Sequence, residues 1–132
     1  MYKIDFRVYY QDTDASGIVY HSNYLKYAER ARTEWLIQNG FSEKDLKKRA
    51  IGFVVKEAFL DYKSPAFYED ILTVTVQPVD VKNASMDIEQ SIYRGTTLLV
   101  HIRVKIVVIH PKTLKPLRIP EDIKKVFYEK EQ

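Results

Sequence analysis

The chain of 132 residues contains no cysteine. That absence removes disulfide scaffolds, thiolate nucleophiles, iron–sulfur clusters and cysteine-ligated zinc in one step, so any chemistry must come from other groups. Glycine and proline are scarce, at 4 and 5 residues, which excludes collagen-like and low-complexity chains. Long apolar runs are missing too. The longest stretch, Thr97 to Ile109, is interrupted by His101, Arg103 and Lys105 and falls short of the ~20 apolar residues a membrane helix needs. The N-terminal segment carries Asp5, Arg7 and Asp12, so it lacks the apolar core of a signal peptide, and the expectation is a cytoplasmic protein. Neither sign of charge dominates: 21 basic and 18 acidic side chains leave +3, interleaved as in Glu43, Lys44 and Asp45. A modest positive field fits a small anionic ligand as well as a phosphate backbone, and no nucleic-acid partner is expected.

What is present is globular composition, with 45% hydrophobic and 30% charged residues. The length suits one domain over residues 1–132. Lys3 to Tyr10 alternates Ile4, Phe6, Val8 and Tyr10 against polar partners, the period of a half-buried strand. After a polar loop, Ser22 to Asn39 places Tyr24, Leu25, Tyr27, Ala28, Ala31, Trp35 and Leu36 on one face at helical spacing. Ser22 or Asn23 is expected to cap its start, and Asn39-Gly40 stops it. Ser42 with Asp45 three residues on resembles a capping box and predicts a short second helix. Phe53–Tyr62, Leu72–Val79, Ser85–Tyr93 and Thr97–Ile109 read as strands, the last three separated by the turn signals Lys82-Asn83 and Arg94-Gly95. Pro120 followed by Glu121 and Asp122 predicts a C-terminal helix. The order β-α-β-β-β-β gives an α+β class, an antiparallel sheet against one principal helix.

The chemistry concentrates in the loop Asp12-Thr13-Asp14-Ala15-Ser16-Gly17-Ile18-Val19-Tyr20-His21, which enters a helix whose first N–H groups lack intrahelical partners. Three readings compete. In the first, the aspartates make Asx turns and Gly17 supplies a positive φ. Asp12, Asp14, Ser16 and Gly17 match half of an EF-hand loop, but the twelfth position is Asn23, which cannot supply the bidentate carboxylate. The third reading is catalytic: a carboxylate facing a helix N-terminus whose backbone donors match a developing oxyanion. Of the three histidines only His21 shares the loop; His101 lies in a strand and His110 before a proline. Arg32 falls on the apolar face of the helix and is expected to snorkel or to pair with Glu29 or Glu57, outside the site.

The run Asp12 to Tyr24, with Tyr27, Glu29, Arg30 and Arg32, resembles the signature of hotdog-fold acyl-CoA thioesterases of the YbgC branch, related to 4-hydroxybenzoyl-CoA thioesterase. The likeness continues through Tyr62-Lys63-Ser64-Pro65-Ala66 and Asp70 to Val74. It implies a hotdog fold, a long central helix wrapped by an antiparallel sheet, that pairs into a dimer or dimer of dimers with the active site between subunits. It also implies hydrolysis of an acyl-CoA substrate without a cofactor or metal. By the same resemblance Asp14 is the catalytic carboxylate, as nucleophile or general base. The N–H of His21 polarises the thioester carbonyl, and its side chain lies near the thioester. Gly17, Val19 and Tyr20 flank the substrate, and Lys82 contacts coenzyme A phosphate. Two rivals remain: another hotdog activity such as enoyl-thioester hydration, and a non-catalytic acyl-CoA or acyl-carrier binding module in membrane lipid metabolism.

Overall fold

The computed structural model describes residues 1–131. Its elements are β1 (Tyr2–Arg7), α1 (Asn23–Gln38), α2 (Glu43–Lys48), β2 (Gly52–Tyr62), β3 (Ile71–Val79), β4 (Ser85–Arg94), β5 (Thr97–Ile109) and α3 (Glu121–Glu131). The strands form one antiparallel sheet in the order β1-β3-β4-β5-β2. Among the described residues no helix is long and apolar enough to cross a membrane.

Local chemistry accounts for most boundaries. The β4–β5 hairpin pairs Arg94 with Thr97, and Gly95 at its turn has φ 60°, a conformation glycine adopts without steric cost. Ser42 caps α2, its side chain accepting from the Asp45 N–H, as the capping-box reading expects. Two expectations fail. β1 ends at Arg7, and Tyr10–Asp12 form a single 3-10 turn, because the Asp12 carboxylate draws the Tyr9 N–H inward at 2.9 Å and bends the chain. The start of α1 carries no side-chain cap: Ser22 has helical dihedrals, and the Asn23 amide instead donates to the Asp12 carbonyl at 2.7 Å.

The alternating residues of the strands decide which side of the sheet is dry. Met86, Ile88, Gln90 and Ile92 of β4 are buried, as are Val100, Ile102, Val104 and Ile106 of β5. Tyr27, Ala28, Ala31 and Trp35 of α1 are buried in the same core, whereas Leu25 is 37% exposed on the helix flank. At the far end Trp35 stacks on Phe127 of α3 at 5.2 Å between centroids. The opposite side of β4 and β5 is charged, with Arg103 bonded to Asp87 and Glu89.

β2 is different. It pairs only with β5 and forms one edge of the sheet. Val55, Phe59 and Tyr62 along it are 44%, 66% and 49% exposed. Long edges bearing apolar side chains template pairing with another chain.

Phe127→Ala should lower unfolding free energy by about 3–5 kcal/mol, the usual cost of emptying a fully buried aromatic site. Urea unfolding followed by tryptophan fluorescence at fixed protein concentration measures it, since Trp35 is the only tryptophan and lies on Phe127.

Candidate active site

The loop between β1 and α1 is a small hairpin. Thr13 bridges Val19, the Asp14 N–H donates to the Ile18 carbonyl at 2.9 Å, and the Tyr20 N–H donates to the Asp12 carbonyl at 3.1 Å. Gly17 sits at its tip with φ 82°, the left-handed conformation a side chain would strain. A second segment holds the hairpin from outside. The Val19 N–H donates to the Ala66 carbonyl at 2.9 Å, the Tyr68 N–H to the Gly17 carbonyl at 3.0 Å, and Ile18 bridges Phe67. Arg94 fastens that segment in turn, donating to the Pro65 carbonyl and to Asp70 while lying over the Phe67 ring.

The two aspartates of the motif do opposite things. Asp12 is buried at 6% exposure. Its Oδ2 accepts from the Tyr9 N–H and, at 2.8 Å, from the Tyr27 hydroxyl. Burial, and then the hydrogen bond to this carboxylate, push the Tyr27 phenol above the ordinary tyrosine range. Asp14 is exposed. Its Oδ1 accepts from the Ser16 hydroxyl, the Ser16 N–H and, at 3.4 Å, the Ile18 N–H. These donors, the Ser16 hydroxyl first, hold its carboxyl below the ordinary value. Its other oxygen, Oδ2, receives no hydrogen bond from a described residue. The turn reading is therefore right for Asp14 and Gly17, but Asp12 is an internal anchor. An inward-facing Asp12 cannot join Asp14 in a calcium loop, and among the described residues no cluster of three His, Asp or Glu side chains could hold a metal.

His21 follows the hairpin at the mouth of α1. Its ring lies 4.6 Å from that of Tyr20, and both side chains are exposed. Its carbonyl accepts from the Tyr62 hydroxyl at 3.1 Å. Its N–H has no acceptor among the described residues, and the uncapped first turn of α1 opens beside it. That one backbone donor and the positive end of the helix dipole are thus presented together. Val19 is buried at 3% and anchors the loop from within, so of Gly17, Val19 and Tyr20, expected to flank the substrate, only Tyr20 offers an exposed side chain. Lys82 is not brought near in one chain. It lies on the β3–β4 turn, 3.8 Å from Asp80, at the opposite end of β3 from the Ile71 end that adjoins the hairpin. Reasoning from sequence missed the anchoring set of Asp12, Tyr27 and Asn23. The available signal was that Asn23 and Tyr27 sit four residues apart on the helix face toward the loop.

This hairpin, helix and sheet recur in known proteins. The profile of the thioesterase-like superfamily matches residues 8–127. The chain belongs to this superfamily. It is 39% identical over 123 residues to the acyl-CoA thioesterase YbgC of Haemophilus influenzae, covering 92% of this chain and 90% of that protein. With the acyl-CoA thioester hydrolase YbgC of Escherichia coli it shares 36% identity over 124 residues, 93% of this chain and 92% of that protein. The crystal structure of the BH1999 gentisyl-coenzyme A thioesterase superposes with a TM-score of 0.86 at 28% identity, covering 93% of this chain and 99% of that one. Membership of the superfamily accords with the sheet order and single long helix described above, and so with the hotdog expectation.

Two measurements check the division of labour between the aspartates. Tyr27→Phe leaves the buried Asp12 carboxylate without its hydroxyl donor and should cost about 1–3 kcal/mol of stability, read by urea unfolding. Ser16→Ala removes the main donor to Asp14, so the Asp14 pKa should rise toward the ~3.9 of a free aspartate, read by NMR titration of the carboxyl carbon.

Proposed function

We propose that this chain hydrolyses acyl-CoA thioesters, with Asp14 as the attacking carboxylate and the His21 N–H as the donor to the carbonyl oxygen. The observation that carries the reading is the Asp14 carboxylate itself: exposed, fixed through Oδ1 by Ser16 and Ile18, and with Oδ2 free of protein donors. Superfamily membership and the YbgC relatives support the same reaction.

In the proposed sequence, Asp14 Oδ2 adds to the thioester carbon and the carbonyl oxygen becomes an oxyanion facing the His21 N–H. The carbon–sulfur bond then breaks, and coenzyme A leaves as a thiolate that takes a proton from solvent. Water adds to the resulting mixed anhydride, releasing the free acid and restoring Asp14. The donors on Oδ1 hold the carboxylate in place while Oδ2, which receives none from a described residue, is left to attack. The sequence of steps uses a carboxylate, backbone donors and water, and calls on no cofactor. Its oxyanion donor is the class of interaction whose removal costs ~2.7–4 kcal/mol in other enzymes.

The same reading includes a dimer. Asp14, Tyr20 and His21 all face solvent, so one chain offers no wall to exclude water from the reacting atoms. The exposed apolar edge of β2, which Tyr62 links to His21, is the natural seam for a second copy, an isologous pairing in which each strand meets itself. Lys82 remains the candidate contact for coenzyme A phosphate, reaching a site formed with the other copy.

Released coenzyme A, followed with a thiol reagent over short, long and aromatic acyl-CoAs, tests the reading; a chain without cysteine contributes no background. Asp14→Asn should lower kcat by about 10²- to 10⁴-fold with the fold intact by circular dichroism. Binding of acyl-CoA without thiol release would instead identify a carrier module. Hydration of an enoyl thioester without thiol release would identify a hydratase.

A further inference from the structure

A cavity of about 590 Å³ lies between α1, α2 and the sheet, within the ~300–1,000 Å³ range of small-molecule sites. Leu36, Phe41, Phe53, Val55 and Ile106 make its wall apolar, and Arg32 also lines it. Glu29, Glu43 and Lys47 line it too but are exposed, so water and salt screen them. Arg32 is half-buried, and the expected ion pair with Glu29 or Glu57 is not formed. Its Nη1 donates instead to the Gln90 Oε1 at 2.9 Å, and the fully buried Gln90 amide donates onward to the Ala28 carbonyl at 3.0 Å. Burial disfavours the guanidinium charge, opposed only by the neighbouring Glu29. No further protein acceptor for Arg32 exists among the described residues. No buried side-chain nitrogen or oxygen there lacks a partner, so the remaining guanidinium N–H groups open onto accessible space, and the cavity is the space Arg32 lines.

This cavity and the Asp14 hairpin sit at opposite ends of β2. Gly52, Phe53 and Val55 line the cavity, whereas Tyr62 bonds to His21. At ~3.3 Å per residue the two ends of β2 are roughly 30 Å apart, and along α1 Arg32 stands about 16 Å beyond His21 at ~1.5 Å per residue, so a short acyl group held at the hairpin does not reach the Arg32 of its own chain. An antiparallel pairing of β2 with its copy inverts that arrangement: the Tyr62 end of one copy runs beside the Gly52 end of the other.

With this cavity as the acyl chamber of the two-copy site proposed above, we propose that Arg32 makes it select acyl groups bearing a carboxylate at the end distal to the thioester. The inference rests on the thioesterase reading and its dimer. A half-buried guanidinium held by a neutral amide keeps the planar donor pair that a carboxylate binds in bidentate fashion. An acyl group with an apolar stem and a terminal carboxylate matches the wall and the cation together. A plain alkyl chain leaves the guanidinium without a counter-charge.

Two readouts test it. With glutaryl-CoA and pentanoyl-CoA, equal in chain length, the wild-type protein should show kcat/KM at least about tenfold higher for the dicarboxylate, the scale of a charge-assisted hydrogen bond. Arg32→Met should collapse that ratio to about one, and Arg32→Lys, which keeps charge but loses the fork, should fall between. Equal wild-type rates overturn the role of Arg32 whether or not either variant folds, as does a ratio unchanged in Arg32→Met. Hydrolysis of neither thioester overturns the carboxylate preference, whereas the thioesterase reading itself falls only when no acyl-CoA of the short, long and aromatic panel releases thiol, a distinct failure. For the shared site, Asp14→Ala and Leu36→Trp, which fills the chamber, are unfolded and refolded together. Recovery of activity in the mixture supports a site built from two copies, and a mixture as inactive as its parents overturns it.

Discussion

One buried carboxylate organises the end of the molecule where chemistry is proposed. Asp12 ends β1 by drawing the Tyr9 N–H inward, and it fixes the register of α1 through the Tyr27 hydroxyl. Its carbonyl closes the hairpin on Tyr20 and the helix start on Asn23. Strand, hairpin and helix therefore meet at a single residue. A buried charge costs several kcal/mol in desolvation unless hydrogen bonds offset it, and Asp12 is supplied with them from two elements. That cost makes the arrangement hard to rearrange: swapping the roles of Asp12 and Asp14 would bury one carboxylate without donors and leave Tyr27 with no acceptor.

With the inner aspartate anchored, the outer one can be left to solvent. The hairpin ties Asp14 by one oxygen to Ser16 and Ile18, and the outer loop, fastened by Arg94 and Asp70, holds the hairpin's other flank. The helix end beside it lacks a side-chain cap. In most helices a missing side-chain cap is a small loss of stability; here the Tyr20 carbonyl takes the Asn23 N–H at 2.8 Å, and the His21 N–H is left without an acceptor among the described residues beside it.

The strands and the principal helix were legible because their side-chain periods are local. Alternation in β3, β4 and β5, the Gly95 turn and the Ser42 cap are all properties of a few adjacent residues. The resemblance carried by residues 12–24 was legible for the same reason. Long-range pairing was not. Arg32 finds Gln90 58 positions away, across the core, where reasoning along the helix could offer only Glu29. Asp12 and Asp14 look equivalent in sequence, and only the fold turns one inward. The missing cap of α1 follows from the same choice, since Asn23 is already engaged with Asp12. The rest of the site lies outside what one chain can display, because its walls are proposed to come from a neighbour.

The separation along β2 has a consequence for how such a protein changes over generations. The hairpin that would break the bond occupies residues 12–21, while the proposed chamber draws on α1 from Glu29 onward, on α2, on the start of β2 and on the end of β5. Substitutions in Leu36, Phe41 or Phe53 can reshape what is accepted without touching the anchored carboxylate or its partners. Such an arrangement lets acyl preference drift while the bond-breaking geometry is inherited intact.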